Sequence, residues 1–372
     1  MPSDEDEVFW QIALTLVPKI GPVLAAALIK HFGSARAVFR AAKSELAQVT
    51  KMNQSAADAL TKFHDFRPAE QTLAFTARHD IRVVLLDDPD YPFRLRECTD
   101  PPTVLYYKGN APLNQQRVLS VIGTRTPSDY GKKLTALLLE GLAAYGVLVV
   151  SGLADGIDGL AHRGALEYGL YTIAVLGHGL DTIYPADNRL LAKEMLNQGG
   201  LVTEFREGTP LVKFNFPRRN RIVAGMSQAT VIVETGTRGG SIVTASLASG
   251  YDREIFAFPG RTTDTRSSGC LALIRDHAAR LITGAEDIAH HFNWDLPGTG
   301  HKGRIQTGPL FEEGSPESLI VSLLRQNESG LHLDELILKT GLSSTGLAAL
   351  LLTLELERAL ESLPGMRYRL RS

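Results

Sequence analysis

From Arg117 to Phe258 the chain repeats one pattern: a β-branched apolar run, a glycine-bearing turn, then an amphipathic helical stretch. The strand-like runs are Val118–Ile122, Val147–Val150, Tyr171–Leu176, Leu201–Glu204, Ala229–Glu234 and Glu254–Phe258. Apolar runs that alternate with helices pair in parallel, because a helical crossover returns the chain to the same end of the sheet. The expected fold class is therefore α/β, a doubly wound and mostly parallel Rossmann-like sheet. Ahead of it, Ile81–Leu86 reads as a buried strand, two proline-rich turns follow, and Val104–Tyr107 fits a further short strand.

Ligands of such sheets sit beyond the carboxyl ends of the strands, where helix N-termini present free N–H groups. Four segments should converge there: Gly123-Thr124-Arg125 with Ser128 as a helix cap; Ser151-Gly152 leading to Asp155–Asp158; Gly177–Leu180 continuing to Tyr184, Pro185 and Asn188; and Glu234–Ser241. Glycine at such turns is needed by any sheet of this kind. Four of them, with a cation in the first, point to an anionic ligand. Neither G-x-G-x-x-G nor G-x-x-x-x-G-K-[ST] is present, which removes the usual support for a dinucleotide or a P-loop ATPase. Asp155 and Asp158 read as a cap and a first-turn acid, and His162 as a local hydrogen-bond partner. No nucleophile–base set stands out, G-x-S-x-G is absent, and neither a cofactor nor a metal is expected.

Lys213–Arg221, K-F-N-F-P-R-R-N-R, enters on the same rim. Pro217 disfavours helix just before it, so the segment reads as a loop with Phe214 and Phe216 pushed out of any regular apolar face, followed by Arg218, Arg219 and Arg221. Fixed cations with a ring among them suit a single strand of nucleic acid, whose phosphates need positive charge and whose unpaired bases need a stacking surface. The formal net charge is −2, so such affinity must come from a local patch.

At 372 residues the chain is long enough for two or three domains. Residues 1–70 read as a helical domain resembling a helix-hairpin-helix or sterile-alpha-motif module, with a glycine turn in Leu16–Ser34. The sheet domain spans 80–292, a Gly- and Pro-rich linker 293–315, and a winged-helix-like domain 316–372. The third helix of that domain, from Ser343 to about Glu357, carries no Lys or Arg before Arg358. Duplex neutralisation is then left to Arg367, Arg369 and Arg371, which favours a helper or protein-contact role. Two distant cysteines, Cys98 and Cys270, fit a reducing compartment. With an acidic N-terminus and no run of about 18 apolar residues, neither export signal nor membrane span is expected, and the expected location is cytoplasmic.

Taken together, G-T-R-x-x-S-x-Y-G (Gly123–Gly131), S-G-L-A-D-G-I-D-x-x-A-H (Ser151–His162), T-I-A-V-L-G-x-G-L-D-x-I-Y-P-x-x-N (Thr172–Asn188), F-P-R-R-N-R-I-V-A-G (Phe216–Gly225) and G-S-I-V-T-A (Gly240–Ala245) resemble the bacterial DNA-processing protein A family (DprA or Smf). F-P-G at Phe258–Gly260 and S-G-C-L-A-L-I at Ser268–Ile274 continue the likeness. The resemblance implies a non-enzymatic single-stranded-DNA-binding recombination mediator that protects incoming DNA in natural transformation. It also implies a homodimer and a partnership with the RecA recombinase, which the family helps to load. It carries the family's first-turn arginine onto Arg125, its lysine onto Lys213 and its stacking ring onto Phe216, with Gly123 and Thr124 in the anion loop and Arg218, Arg219 and Arg221 in the basic continuation. The expected DNA-binding set is completed by Ser151 and Gly152. The rival is a nucleotide-processing enzyme of the related phosphoribohydrolase type, which also places a Glu and a Gly pair near phosphate, as Glu234 and Gly239-Gly240 do here. Its P-G-G-x-G-T-x-x-E order is missing.

Overall fold

The computed structural model describes residues 4–294, 315–325, 327, 330–356, 360–363 and 366–370. It divides into two compact units, Met1–Pro297 and Gly298–Ser372. Of the expected linker, 295–314 lies outside the described residues, as do Arg358 and Arg371.

The first unit opens with six helices: α1 (Asp4–Leu16), α2 (Pro22–Phe32), α3 (Ala35–Arg40), α4 (Lys43–Leu46), α5 (Gln54–Thr61) and α6 (Arg67–Arg78). Pro22 starts α2, where its missing N–H costs nothing, and Gly33 ends it at φ 81° with its N–H on the Ile29 carbonyl. Ser34 and Asn53 then cap α3 and α5 through their side chains. Leu14, Leu28, Val38, Leu46 and Leu60 form the core of this layer. Ile12 and Ala69 pack instead on Ile81, Leu85, Val104 and Tyr106. The boundary expected at residue 70 therefore falls inside α6, because α1 and α6 share a core with the first strands of the sheet.

That sheet has nine strands. In chain order come β1 (Arg82–Leu85), α7 (Phe93–Arg96), β2 (Val104–Gly109), β3 (Val118–Ile122), α8 (Asp129–Ala143), β4 (Leu148–Ser151), α9 (Ile157–Glu167), β5 (Thr172–Val175), α10 (Arg189–Met195), β6 (Gly199–Thr203), α11 (Asn215–Met226), β7 (Ala229–Ile232), α12 (Gly240–Gly250), β8 (Glu254–Ala257), α13 (Ser268–Arg275), β9 (Arg280–Leu281) and α14 (Ala285–His291). The strands lie in the order β1-β2-β6-β5-β4-β3-β7-β8-β9. β2 pairs antiparallel with β1 and β6, and every other pairing is parallel. Alternate residues of the central strands feed two cores. Val118, Ile122, Val150 and Ile232 meet Ile222, Val223 and Ala248 on one face, while Leu119, Val121, Val149 and Val231 meet Leu138, Ile157, Ala161 and Ile288 on the other. From β3 the chain winds outward through β4, β5 and β6, then crosses by α11 to β7 on the opposite side. The switch point thus lies between β3 and β7, where the first and last of the four rim segments begin.

The second unit contains α15 (Pro316–Arg325), β10 (Leu331–His332), α16 (Leu333–Thr340), α17 (Ser344–Leu356), β11 (Leu360–Leu363) and β12 (Arg367–Leu370). Its three strands order as β10-β12-β11, and Ile320, Leu324, Leu336, Leu347, Leu351 and Leu354 form its core. Gly341 ends α16 at φ 69°, and the Ser343 hydroxyl accepts the Gly346 N–H at the start of α17. The outward face of α17 presents Ser344, Thr345, Ala348, Ala349, Leu352 and Thr353. On the wing, Arg369 is tied to Glu361 and Arg367 to the Gly330 carbonyl.

Candidate nucleic-acid interface

The turn after β3 is held from both sides. The Thr124 N–H donates to the Glu234 carbonyl at 2.8 Å and its own carbonyl accepts the Ile157 N–H at 3.1 Å. A Cβ on Gly123 would sit 2.6 Å from Ile157 Cγ1, and one on Gly156, at φ 80°, would overlap the Thr124 carbonyl. Backbone from β3, β7 and α9 therefore fits only because these positions lack side chains. The turn projects Arg125 into solvent, and among the described residues its guanidinium has no ion-pair partner.

On the other side of the rim, Lys213 and Phe214 form a turn, both exposed, with Phe214 72% exposed. Here the structure corrects the loop expected through Pro217, since α11 already begins at Asn215. Proline in a first helical turn removes only an N–H that has no intrahelical acceptor, so the helix tolerates it. Phe216 is half-buried. Its Cδ1 would stand 3.0 Å from a Cβ on Gly177, and its ring centroid lies 5.7 Å from that of Tyr184. Tyr184, itself 46% exposed, belongs to the third of the segments expected at this rim, but no ring partner for it is legible in the sequence. Nothing in local periodicity brings it to Phe216, because the contact joins residues on either side of β6.

The three arginines of α11 have separate fates. Arg218 is part-exposed, 3.6 Å from Glu204 and over the Phe205 ring at 5.1 Å. Arg219 is only 4% exposed. It donates to the carbonyls of Gly152 and Val175, at the ends of β4 and β5. Burial pulls its pKa down to about 10; Asp158 opposes the shift and the nearby Arg125 adds to it. Arg221 is buried against Glu204 at 2.6 Å and the Asp100 carbonyl. As direct phosphate ligands Arg219 and Arg221 are therefore corrected, because both guanidinium groups are buried and turned to acceptors inside the protein. The same holds for Ser151 and Gly152. The Ser151 hydroxyl donates to the Val121 carbonyl at 2.7 Å, and the Gly152 N–H to Asp158 at 3.1 Å. Gly152 is glycine because Arg219 fills the place of its Cβ.

Burial pushes the Asp158 carboxyl up from its ordinary range, and the residue lies in the first turn of α9, whose cap is Gly156. His162 is fully buried, its Nδ1 is 2.7 Å from the Thr172 hydroxyl, and desolvation drives its pKa to about 3. It is a neutral core group. Glu234 is buried as well. Its two carboxylate oxygens accept the Ser128 N–H at 2.8 Å and the Ser128 hydroxyl at 2.5 Å, so it serves the start of α8. Gly123, Thr124, Arg125, Lys213, Phe216 and, partly, Arg218 are what remain of the expected set at an accessible rim.

The model of the DNA recombination-mediator protein A family matches residues 82–293, and that of the DprA winged helix domain matches residues 307–366. Protein Smf from Synechocystis is 30% identical over 398 residues, covering 99% of this chain and all of its own. The fold is similar to the X-ray structure of DNA processing protein A from Streptococcus pneumoniae, with a TM-score of 0.65, 29% identity and 77% of this chain and 97% of that one covered. It is also similar to DNA processing protein A from Helicobacter pylori, whose structure was described for its single-stranded DNA binding mode, with a TM-score of 0.52, 29% identity and coverage of 57% and 98%. Matched over more than half its length in the order its own motifs dictate, the chain belongs to the DNA recombination-mediator protein A family.

Proposed function

We propose that the rim between Arg125 and Lys213 binds single-stranded DNA, without chemistry on it. The observation that carries this reading is the position of Phe216: it rests on Gly177 and Tyr184 and stays half-exposed at a rim where Arg125 and Lys213 stand without internal partners. A supported ring offers a stacking face to an unpaired base, and the flanking cations hold the phosphates on either side. A duplex keeps its bases stacked on each other and gains only the charge. The buried Arg219 adds a fixed positive charge below the rim without touching the strand. Support from the relatives comes from the binding mode described for the Helicobacter pylori protein.

In the cell this binding protects an incoming strand and passes it to RecA, with the chain acting as a cytoplasmic homodimer; these parts of the reading rest on the family resemblance. The outward face of α17 carries Ala348, Ala349 and Leu352 beside the uncharged Ser344, Thr345 and Thr353, and with no cation among its described residues it suits contact with protein better than with a phosphate backbone. Against phosphoribohydrolase chemistry stands Glu234, whose carboxylate is engaged by Ser128. Lys213→Glu and Arg125→Glu are each expected to weaken oligonucleotide affinity at least about tenfold at moderate salt, measured by fluorescence anisotropy. Unchanged affinity in both variants overturns the site. Release of free base from nucleoside monophosphates by the purified protein would favour the enzymatic rival.

A further inference from the structure

The loops that follow β3, β7 and β8 are neighbours on one edge of the sheet, and each carries exposed arginine: Arg125, then Arg238, then Arg261 and Arg266. None of the four has a carboxylate within ion-pair distance among the described residues. The loops' acids are already engaged. Asp129 pairs with Lys132 at 2.9 Å, and Asp264 accepts the backbone N–H of Arg266 at 2.9 Å. Direct bonds join the loops to each other. The Gly269 N–H donates to the Thr235 carbonyl at 2.9 Å, and the Tyr130 hydroxyl donates to the Pro259 carbonyl at 3.2 Å. The hydrogen bond and charge of Lys132 hold the Asp129 carboxyl below the usual range.

The row continues the edge on which Phe216 stands. From β5, where the ring lies, to β8 there are four strand intervals, β5-β4-β3-β7-β8; at about 4.8 Å each they span about 19 Å. We propose that a single strand clasped at Phe216 and Lys213 runs along this edge across the switch point, with Arg238, Arg261 and Arg266 taking the phosphates beyond Arg125. The inference rests on the reading of the rim as a single-strand site and extends it by a second, purely electrostatic half. Bases are held at the β5 end and only backbone at the β8 end. Binding therefore starts with a stacked base and gains affinity with strand length, without any gain in sequence preference.

The test is the salt dependence of binding by the full chain. For single strands, log K falls against log salt with a slope of about −0.7 for each phosphate neutralised. A combined Arg238→Gln, Arg261→Gln and Arg266→Gln variant, at surface positions where folding should be kept, is compared with the parent on strands of about 4 and about 16 nucleotides. The slope for the longer strand should become shallower by about 2, while affinity for the shorter one stays unchanged. Lys213→Glu should weaken both strands. If Lys213→Glu weakens both but the triple variant leaves the long-strand slope intact, the track is refuted and the ring-and-lysine site stands. If Lys213→Glu and Phe216→Ala leave both strands unaffected, the underlying site reading itself fails.

Discussion

Arg125, Arg219 and Arg221 are alike on paper and differ in what they can do. Arg221 shares a buried ion pair with Glu204, each about 8% exposed at the side chain. Replacing it by Ala leaves the buried carboxylate with only the longer contact to Arg218 at 3.6 Å, so Arg221→Ala is expected to cost about 3 kcal/mol, read as a lower denaturation midpoint. Arg125→Ala should leave stability within about 0.5 kcal/mol and lower oligonucleotide affinity instead. Sequence spacing groups Arg218, Arg219 and Arg221 as one basic cluster; only the rotation of α11 against the sheet decides which guanidinium points inward, and no local pattern records that rotation. The exposed positions of Arg125 and Lys213 were legible, the first because it follows the strand read at Val118–Ile122 and the second because it opens the segment read as a loop ahead of Pro217. His162 supplies a pH signature. Folded it stays neutral down to about pH 3, whereas unfolded it takes a proton near 6.5, so the unfolded state binds more protons between those values. Its contribution to stability is complete above about pH 6.5 and is lost as pH falls toward 3. Between pH 6 and 4, His162→Gln should flatten the dependence of unfolding free energy on pH by about 1.4 kcal/mol per unit. An identical slope in parent and variant would remove His162 as its source.

The turns are where the sheet is converted into a site. Gly156, at φ 80°, lies against the Thr124 carbonyl and the Arg125 backbone. Gly156→Ala should therefore lower the thermal midpoint and the oligonucleotide affinity together, because the strained turn displaces Arg125; stability falling while affinity holds would show that Arg125 does not depend on this contact. All eight strands read for the sheet domain occur, from β1 to β8, within a few residues of their expected ends. The ninth, Arg280–Leu281, has two exposed residues, too few to produce any alternation. The start of α11 was misread for a different reason: the rule against helix before proline is statistical, and a first turn has no hydrogen bond there for the proline to break. Glu234 was visible as a rim acid, but its engagement by Ser128 is a contact between distant segments.

The formal net charge of −2 gives the whole molecule no general attraction for DNA, so the proposed binding rests on the arrangement along one edge of the first unit. Residues 298–372 form a separate compact unit, and α17 presents no cation among its described residues. A chain ending at Pro297 is accordingly expected to keep its single-strand affinity within about threefold, a change of less than about 1 kcal/mol. A larger loss would assign the winged-helix unit a direct part in holding the strand. The central claim is that a supported ring and unpaired cations select an unstacked polynucleotide, and a competition between one oligonucleotide and its own duplex tests it most directly. The parent protein should favour the single strand by at least about tenfold, and Phe216→Ala should erase most of that preference, in line with about 1–3 kcal/mol for one stacked base. Equal affinity for both forms, or a preference that survives Phe216→Ala intact, would contradict the account.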